Sequence, residues 1–192
     1  MTRRKFFYSM VGAAAIYPAY IEPRWLRVVQ TSVKLSHAPR LRILHVSDLH
    51  LSSVVPLSLI DTAISQGLAL RPDIVCVTGD FITGKEDLRS GAYARTLSRL
   101  SAASPTFAVL GNHDGGLWAD AYGGHSDHIA VAQTLQSAGI RLLHNQSQVL
   151  QVCDSRLSLV GVGDLWADEI PRFAPLPDKR YVAGLGAWRS IS

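Results

Sequence analysis

The sequence is poor in the features that mark several large classes of protein. It has only two cysteines in 192 residues, Cys76 and Cys153, and no C-x-x-C pair, so neither a disulfide framework nor a zinc knuckle is indicated. A single disulfide between the two cysteines stays open beside two free thiols. Charged residues make up 18% and hydrophobic residues 47% of the chain, which predicts one folded domain with a substantial core.

A strong charge of one sign is also missing. The formal net charge is +4, and no run of Lys and Arg with interleaved aromatics occurs. The sequence therefore predicts no nucleic-acid partner. A mildly basic surface favours anionic partners such as phosphate groups or lipid headgroups.

The N-terminus has the build of an export signal. The basic start Arg3-Arg4-Lys5 precedes an apolar stretch of about ten residues, which resembles a twin-arginine leader. That stretch is shorter than the about 20 residues that span a bilayer, and no small-x-small cleavage site follows it. We expect residues 1–24 to be a signal or a membrane tether, and the protein to be exported, periplasmic or membrane-associated. The alternative is a short amphipathic or disordered N-terminus.

The next part of the chain predicts a parallel sheet. After a loosely alternating strand over residues 25–35, buried-strand patterns end at the motif loops that follow residues 47, 78 and 110. Helices are expected from Pro56, around Tyr93 to Leu100, and from Ser126 to Ala138, with Ile129 facing inward. Three strand–loop–helix units in a row imply right-handed crossovers, which place all three loops at the carboxyl edge of one sheet.

The pattern then changes to short strands separated by turns. Strands are expected at residues 140–143, 148–152 and 157–162, as the start of a second, antiparallel sheet packed on the first. No strand or helix pattern is convincing beyond Trp166. We therefore expect one domain over residues 25–170 and an irregular tail over 171–192.

The three motif loops carry metal-ligand chemistry. They read Asp48-Leu49-His50, Gly79-Asp80 and Gly111-Asn112-His113-Asp114. Asp48 and His50 can aim at one point after a bend, Asp80 can bridge two cations, and Asn112 offers a neutral carbonyl oxygen. Oxygen ligands with one imidazole suit Mn²⁺, Fe or Zn²⁺. Two such cations can clamp the phosphoryl oxygens during in-line attack.

Two further residues of the third loop are candidate catalytic groups. His113 follows the ligand Asn112 and is placed to touch substrate, where it can stabilise charge or protonate the leaving oxygen. We expect Asp114 to accept a hydrogen bond from the other ring nitrogen of His113 and to raise its basicity. Each residue alone has a structural alternative, as a cap, a turn or a solvated side chain; it is the three strings in order that indicate a site.

These strings resemble the calcineurin-like metallophosphoesterase superfamily, whose pattern is D-x-H, G-D and G-N-H-[DE], followed by two segments that supply histidines. Residues 43–51, Arg71-Pro72-Asp73 and Val160-Gly161-Val162-Gly163-Asp164 look like the membrane-associated bacterial branch with exported leaders. The resemblance covers residues 25–168. It implies an αββα sandwich of two mixed sheets, an α/β (α+β) fold, and a two-metal phosphoesterase. Some members of that branch act on phospholipid-like or UDP-diacylglucosamine-type substrates.

By that resemblance the four oxygen and imidazole donors are metal ligands and one histidine is catalytic: Asp48, His50, Asp80 and Asn112, and His113. The sequence departs from the family pattern because no histidine follows His144. Three imidazole ligands are then missing, so we expect a C-terminally truncated chain with an incomplete second sheet and second metal site. The alternative function is an inactive remnant or a metal-binding module.

Other polar residues have weaker cases. His125 and His128 lie three apart at a helix start and share a face, but a solvated Gly-rich loop with Ser126 as N-cap is the favoured interpretation. His45 is expected to be a hydrogen-bonded residue of the core or a neighbour of the metal ligands, and His144 a structural residue at a strand end. Asp164 is either a turn residue or a neighbour of the site.

Overall fold

A computed structural model describes residues 25–34, 40–152, 155–164 and 182–185. The predicted leader, Cys153 and most of the predicted tail lie outside the described residues. The chain divides into two units, Met1–Ser32 and Val33–Ser192. Residues 25–34 have no regular secondary structure, so the strand predicted there is wrong. Trp25 and Val29 are exposed, and alternation of apolar residues does not make a strand without a hydrogen-bonded neighbour.

The first sheet is parallel and has the strand order β1-β2-β3-β4. Its elements, in chain order, are β1 (Ile43–Ser47), α1 (Leu57–Leu68), β2 (Ile74–Thr78), α2 (Ala92–Ala103), β3 (Thr106–Val109), α3 (Leu117–Ala121), α4 (Ile129–Ser137) and β4 (Arg141–Leu142). The three predicted strand–loop–helix units are confirmed. We placed the strand at residues 140–143 in the second sheet, and that assignment is wrong: after the α4 crossover it pairs in parallel with β3.

The second sheet has three strands, β5 (Ser147–Val152), β6 (Ser155–Gly161) and β7 (Val182–Leu185). The predicted antiparallel pair β5–β6 is confirmed. β7 pairs in parallel with β6, so this small sheet is mixed and receives a strand from the segment that we expected to be irregular. The α/β fold class with two packed sheets is confirmed.

The central strands β2 and β3 are buried along their whole length, because apolar side chains cover both faces of the parallel sheet. The face toward the helices contributes Val75, Val77 and Ala108, which pack with Ile60, Ile64, Leu97, Leu100 and Leu135. The opposite face contributes Ile74, Cys76, Phe107 and Val109, which pack with Leu157 and Leu159 of β6. A helical layer, the parallel sheet and the second sheet therefore stack in this order. Cys76 lies between the two sheets, and burial raises the pKa of its thiol to about 12.

Two helical predictions need correction. α4 buries Val131, Thr134 and Leu135, whereas Ile129, which we placed inward, is 59% exposed. The helix begins at Ile129 rather than near Ser126, and the carboxylate of Asp127 accepts a hydrogen bond from its first N–H. The first buried residue of the helix is Val131, two positions after the expected Ile129. The short helix α3 was not predicted. Within the described part of the chain, no helix is both long and apolar enough to cross a membrane.

Candidate active site

The loops after β1 and β2 run side by side because the parallel pairing continues past both strands. The Asp48 N–H donates to the carbonyl of Gly79 at 3.3 Å, and the His50 N–H donates to the carbonyl of Asp80 at 2.8 Å. Backbone contacts of this kind fix register independently of the side chains. The structure therefore brings Asp48, His50 and Asp80 to one edge of the sheet, as the ends of parallel strands require.

The side chains in these loops converge closely enough to share an ion. The His50 Nε2 atom lies 3.7 Å from Asp80 Oδ2 and 3.9 Å from Asp48 Oδ1. One potential ligand atom from each of His50, Asp80 and His113 falls within 4.8 Å of the others. Ligands at about 2.0–2.2 Å from one cation are about 3.3–3.6 Å apart in a tetrahedral site, so these atoms would have to approach one another by up to about 1 Å to share an ion. The donor set of carboxylate and imidazole fits Mn²⁺, Fe or Zn²⁺.

The backbone at this edge adopts a conformation that side chains rarely take. Asp48, His50 and Asp80 have φ values of 53°, 44° and 52°, all in the left-handed region that favours glycine. Such residues cost about 1–3 kcal/mol each and persist where the surrounding structure holds them. The sharp bends turn these side chains toward a common point, and Gly79, with φ of 69°, permits the turn before Asp80.

Gly111 makes room for the Asp80 carboxylate. A Cβ at position 111 would overlap with Asp80 Oδ1 and lie 2.6 Å from the Asp80 backbone nitrogen. The His113 N–H then donates to Asp80 Oδ1 at 3.1 Å. The Asp80 carboxylate can therefore take its position only because residue 111 is glycine. The hydrogen bond from His113 fixes one Asp80 oxygen, while the other faces His50.

The remaining predicted ligands differ in burial. Asn112 is buried, with 6% of its surface exposed, on the same loop as the groups that contact Asp80. Asp48 lies at the open side of the site, where its side chain is 53% exposed. Asp48 lies in the same loop as His50, and Asn112 lies in the same loop as His113. The roles of Asp48 and Asn112 as metal ligands stay predictions.

His113 is held by a group that sequence reasoning missed. Its Nδ1 lies 3.0 Å from the backbone carbonyl of Thr83; because a carbonyl only accepts, Nδ1 carries the proton and donates. The ring lies between two others, with His50 at 4.8 Å and Trp118 at 4.5 Å between centroids. Nε2 is then the nitrogen left for a substrate oxygen or a cation.

Asp114 does not orient His113, and that part of our prediction is wrong. One Asp114 oxygen accepts hydrogen bonds from the backbone N–H groups of Phe81 at 2.7 Å and Ile82 at 3.4 Å. The other accepts from the Gly111 N–H at 2.8 Å. The carboxyl is fully buried, so it cannot reach substrate. Asp114 instead joins the loop after β2 to the loop after β3.

Burial raises the pKa of Asp114 to about 7, the negative charge of Asp80 adds to the increase, and the N–H donors of Gly111, Phe81 and Ile82 oppose it. The Tyr93 hydroxyl donates to the Phe81 carbonyl at 2.9 Å, and burial, together with the charge of Asp114, raises the Tyr93 pKa well above its usual value. The backbone under Asp80 is thus held from two elements. Tyr93 and Thr83 carried no local motif signal, since only their tertiary neighbours give them these roles.

The other histidines lie apart from this cluster. His45 Nε2 contacts the Thr78 hydroxyl at 2.7 Å, so it has the expected hydrogen-bond partner, but the residue is exposed and does not belong to the core. His128 and His144 approach each other at 5.9 Å between ring centroids. Among the described residues, neither of them nor His125 belongs to a group of three potential ligands of one ion. Asp164 is buried, beside Gly163, whose N–H donates to Asn145.

Buried carboxylates that accept backbone hydrogen bonds, together with two neighbouring imidazoles at the carboxyl edge of a parallel sheet, are typical of the sites of metal-dependent hydrolases. The sequence model of the calcineurin-like phosphoesterase family matches residues 41–185. The chain therefore belongs to the calcineurin-like phosphoesterase family, and it is a hydrolase that acts on phosphate esters. That match reaches β7, in agreement with the place of this strand in the second sheet.

Three relatives have names that bear on function. Phosphodiesterase YaeI of Escherichia coli is 31% identical and aligns with 98% of this chain and 88% of its own length. The uncharacterized metallophosphoesterase YkuE of Bacillus subtilis is 29% identical over 86% of this chain and 60% of its own. UDP-2,3-diacylglucosamine pyrophosphatase LpxG of Chlamydia muridarum is 33% identical over 52% of this chain and 31% of its own. The chain thus spans less than two thirds of the length of YkuE and of LpxG.

The alignment with YaeI covers 244 positions, to which the aligned 98% of the 192 residues contributes about 188, so about 56 positions remain. Because 98% of the chain lies within the alignment, these positions of the relative stand opposite gaps inside the aligned range. Among solved structures, the NAD nucleotidase NadN of Haemophilus influenzae has a TM-score of 0.43 and 17% identity, over 65% of this chain and 26% of that one; this likeness carries no argument about function.

Proposed function

We propose that this protein hydrolyses phosphomonoester, phosphodiester or pyrophosphate bonds with divalent cations held by Asp48, His50, Asp80 and Asn112. The observation that carries the proposal is the convergence of His50, Asp80 and His113 within 4.8 Å at the ends of three separate loops. A purely structural role gives no reason for three ionisable groups from distant positions to meet, two of them, His50 and Asp80, on left-handed backbone. When bound, the cations neutralise and position the phosphoryl oxygens for in-line displacement.

The protein's own residues supply positioning and proton transfer. The Thr83 carbonyl holds the proton of His113 on Nδ1, which leaves Nε2 to contact a phosphoryl or leaving oxygen. Neutral imidazole at Nε2 accepts a proton, and the protonated ring donates one to the leaving oxygen. Asp80, fixed by the His113 N–H, keeps its other oxygen toward the cation position between the loops.

The finer points of substrate and location are also proposals. The name of LpxG supports a lipid-linked phosphate ester as one substrate class, and YaeI supports a phosphodiester. The basic and apolar N-terminus supports export with membrane association. The alternative function, an inactive remnant or metal-binding module, is supported by the absence of histidine after His144 and by the positions of YaeI that have no counterpart here.

The test measures Mn²⁺-dependent hydrolysis of bis-p-nitrophenyl phosphate and Mn²⁺ binding by calorimetry on the same preparation. An active phosphoesterase turns over only with the cation, and both Asp80→Ala and His113→Ala lower the rate by about a hundredfold or more. The matched control is Asp87→Ala, an exposed carboxylate paired with Arg89, which leaves both readouts unchanged. Binding without turnover would favour the metal-binding module, and neither binding nor turnover would favour the remnant.

A further inference from the structure

Two aromatic side chains, one in α3 and one directly after it, continue the row of rings that begins in the site. Trp118 lies 4.5 Å from His113 between ring centroids, at an interplanar angle of 64°. Tyr122, four residues on, lies 4.6 Å from Trp118 and is tilted by 36°. Trp118 is half-buried and Tyr122 is 74% exposed. We call Trp118 and Tyr122 the aromatic platform; it runs from His113 outward to solvent.

The sequence builds this platform by folding α3 back over the third motif loop. Gly115 and Gly116, with φ of 143° and 89°, provide the turn between Asp114 and the helix. A Cβ on Gly115 would overlap with the Asp127 carbonyl, so this turn accepts only glycine. The rings therefore have a fixed relation to His113, because both the turn and the buried Asp114 hold it.

The position of the platform indicates which part of a substrate it meets. The His113 ring contacts both parts of the site, because its centroid lies 4.8 Å from that of His50 in the cluster and 4.5 Å from that of Trp118. A phosphoryl group held at the cluster then directs the bond that breaks toward Nε2 of His113, and the departing group extends past that ring. Trp118 is in ring contact with His113, and Tyr122 is in ring contact with Trp118, so these two side chains border the place beside His113 where the departing group lies.

The chemistry of the platform favours a planar ring over an alkyl chain. Aromatic pairs in offset or tilted arrangements gain energy beyond the burial of area, and the tilt of Tyr122 leaves an edge and a face available. An alkyl chain needs an enclosed apolar groove, whereas the outer ring of the platform, Tyr122, is 74% exposed. Resting on the proposed function, we infer that Trp118 and Tyr122 bind the planar aromatic part of the leaving group of a phosphate ester.

The experiment compares three phosphonates as non-hydrolysable probes in Mn²⁺, by calorimetry on the full chain. Phenylphosphonate should bind about threefold to tenfold more tightly than methylphosphonate, and octylphosphonate more weakly than phenylphosphonate. Trp118→Leu should remove the phenyl preference, Trp118→Phe should keep most of it, and Tyr122→Leu should reduce it in part. Leu117→Ala, on the same helix and 82% exposed, is the matched control and should leave the preference unchanged.

Each outcome discriminates. Equal binding of phenyl- and methylphosphonate by the wild-type chain, or a phenyl preference that survives in a folded Trp118→Leu variant, overturns the platform while leaving the metal site intact. Tighter binding of octylphosphonate assigns the rings to an acyl chain and overturns it as well. Absence of Mn²⁺-dependent binding of methylphosphonate counts against the proposed function itself, and the inference falls with it. Circular dichroism on each variant separates loss of binding from loss of fold.

Discussion

The buried side and the open side of the site are built by different means. The buried side consists of Asp80, Asn112 and Asp114, where backbone N–H groups meet carboxylate oxygens out of contact with water. The open side consists of Asp48 and His50, with side chains 53% and 30% exposed, on strained backbone. Hydrogen bonds to a buried charge hold the buried side in place, whereas backbone hydrogen bonds between the loops after β1 and β2 hold the open side. Changes on the buried side should therefore affect fold and function together, and changes on the open side function alone.

The largest effect is expected from Asp114→Ala. The substitution leaves the N–H groups of Gly111, Phe81 and Ile82 without their acceptor in a buried place, at a cost of about 3 kcal/mol or more in the free energy of unfolding. Urea denaturation measures it. Asp87→Ala, at an exposed turn, is the control and should not shift the midpoint. A loss for Asp114→Ala no greater than that of the control would show that Asp114 does not hold the two loops together.

A smaller but sharper effect is expected from Gly111→Ala. The added methyl group meets Asp80, so the carboxylate must move, Mn²⁺ affinity should fall at least tenfold, and stability should drop by about 1–3 kcal/mol. Gly84→Ala is the matched control, since a Cβ there meets nothing within 4 Å. Calorimetry and urea denaturation on both variants give the comparison. Unaltered Mn²⁺ affinity in Gly111→Ala would show that the position of the Asp80 carboxylate does not depend on glycine at residue 111.

On the open side, Asp48→Gly should separate binding from stability. Glycine accepts the left-handed backbone of residue 48 without strain, so the free energy of unfolding should stay level or rise slightly while Mn²⁺ affinity falls about tenfold. Arg71→Gly, at another left-handed residue with φ of 52°, controls for the backbone effect without touching the site. Equal Mn²⁺ affinity in Asp48→Gly and wild type would remove Asp48 from the ligand set.

The smallest effect on the domain is expected from the N-terminus. Replacement of Arg3 and Arg4 by Lys should leave Mn²⁺ binding and stability of the purified protein unchanged, while stopping export of a reporter fused to residues 1–40. The reporter must give signal only after twin-arginine transport. Export that persists in the double variant would contradict the leader prediction and leave the comparison of the two sides of the site untouched.

Local patterns of the sequence were sufficient for the main parallel sheet and for the places of the motif loops. Apolar runs before residues 48, 79 and 111 predicted strands whose ends meet, and the structure has them. The burial expected for the first of these strands is wrong, because β1 alternates between exposed and half-buried residues. Local patterns gave wrong assignments where strand pairing decides whether a segment forms a strand and which sheet it joins. Residues 25–34 alternate without forming a strand, residues 141–142 joined the first sheet, and residues 182–185 joined the second.

What the sequence by itself determined was the chemistry available: the D-x-H, G-D and G-N-H-D strings, their order, and the family they indicate. Periodicity and motif spacing are local properties, and they survive without knowledge of the fold. Only the tertiary structure decided which groups hold which. Thr83 rather than Asp114 holds His113, Asp114 supports the backbone under Asp80, and Trp118 lies against the catalytic candidate. Hydrogen-bond partners that lie about thirty residues apart are set by the meeting of loops at one sheet edge, and no local pattern of residues encodes that meeting.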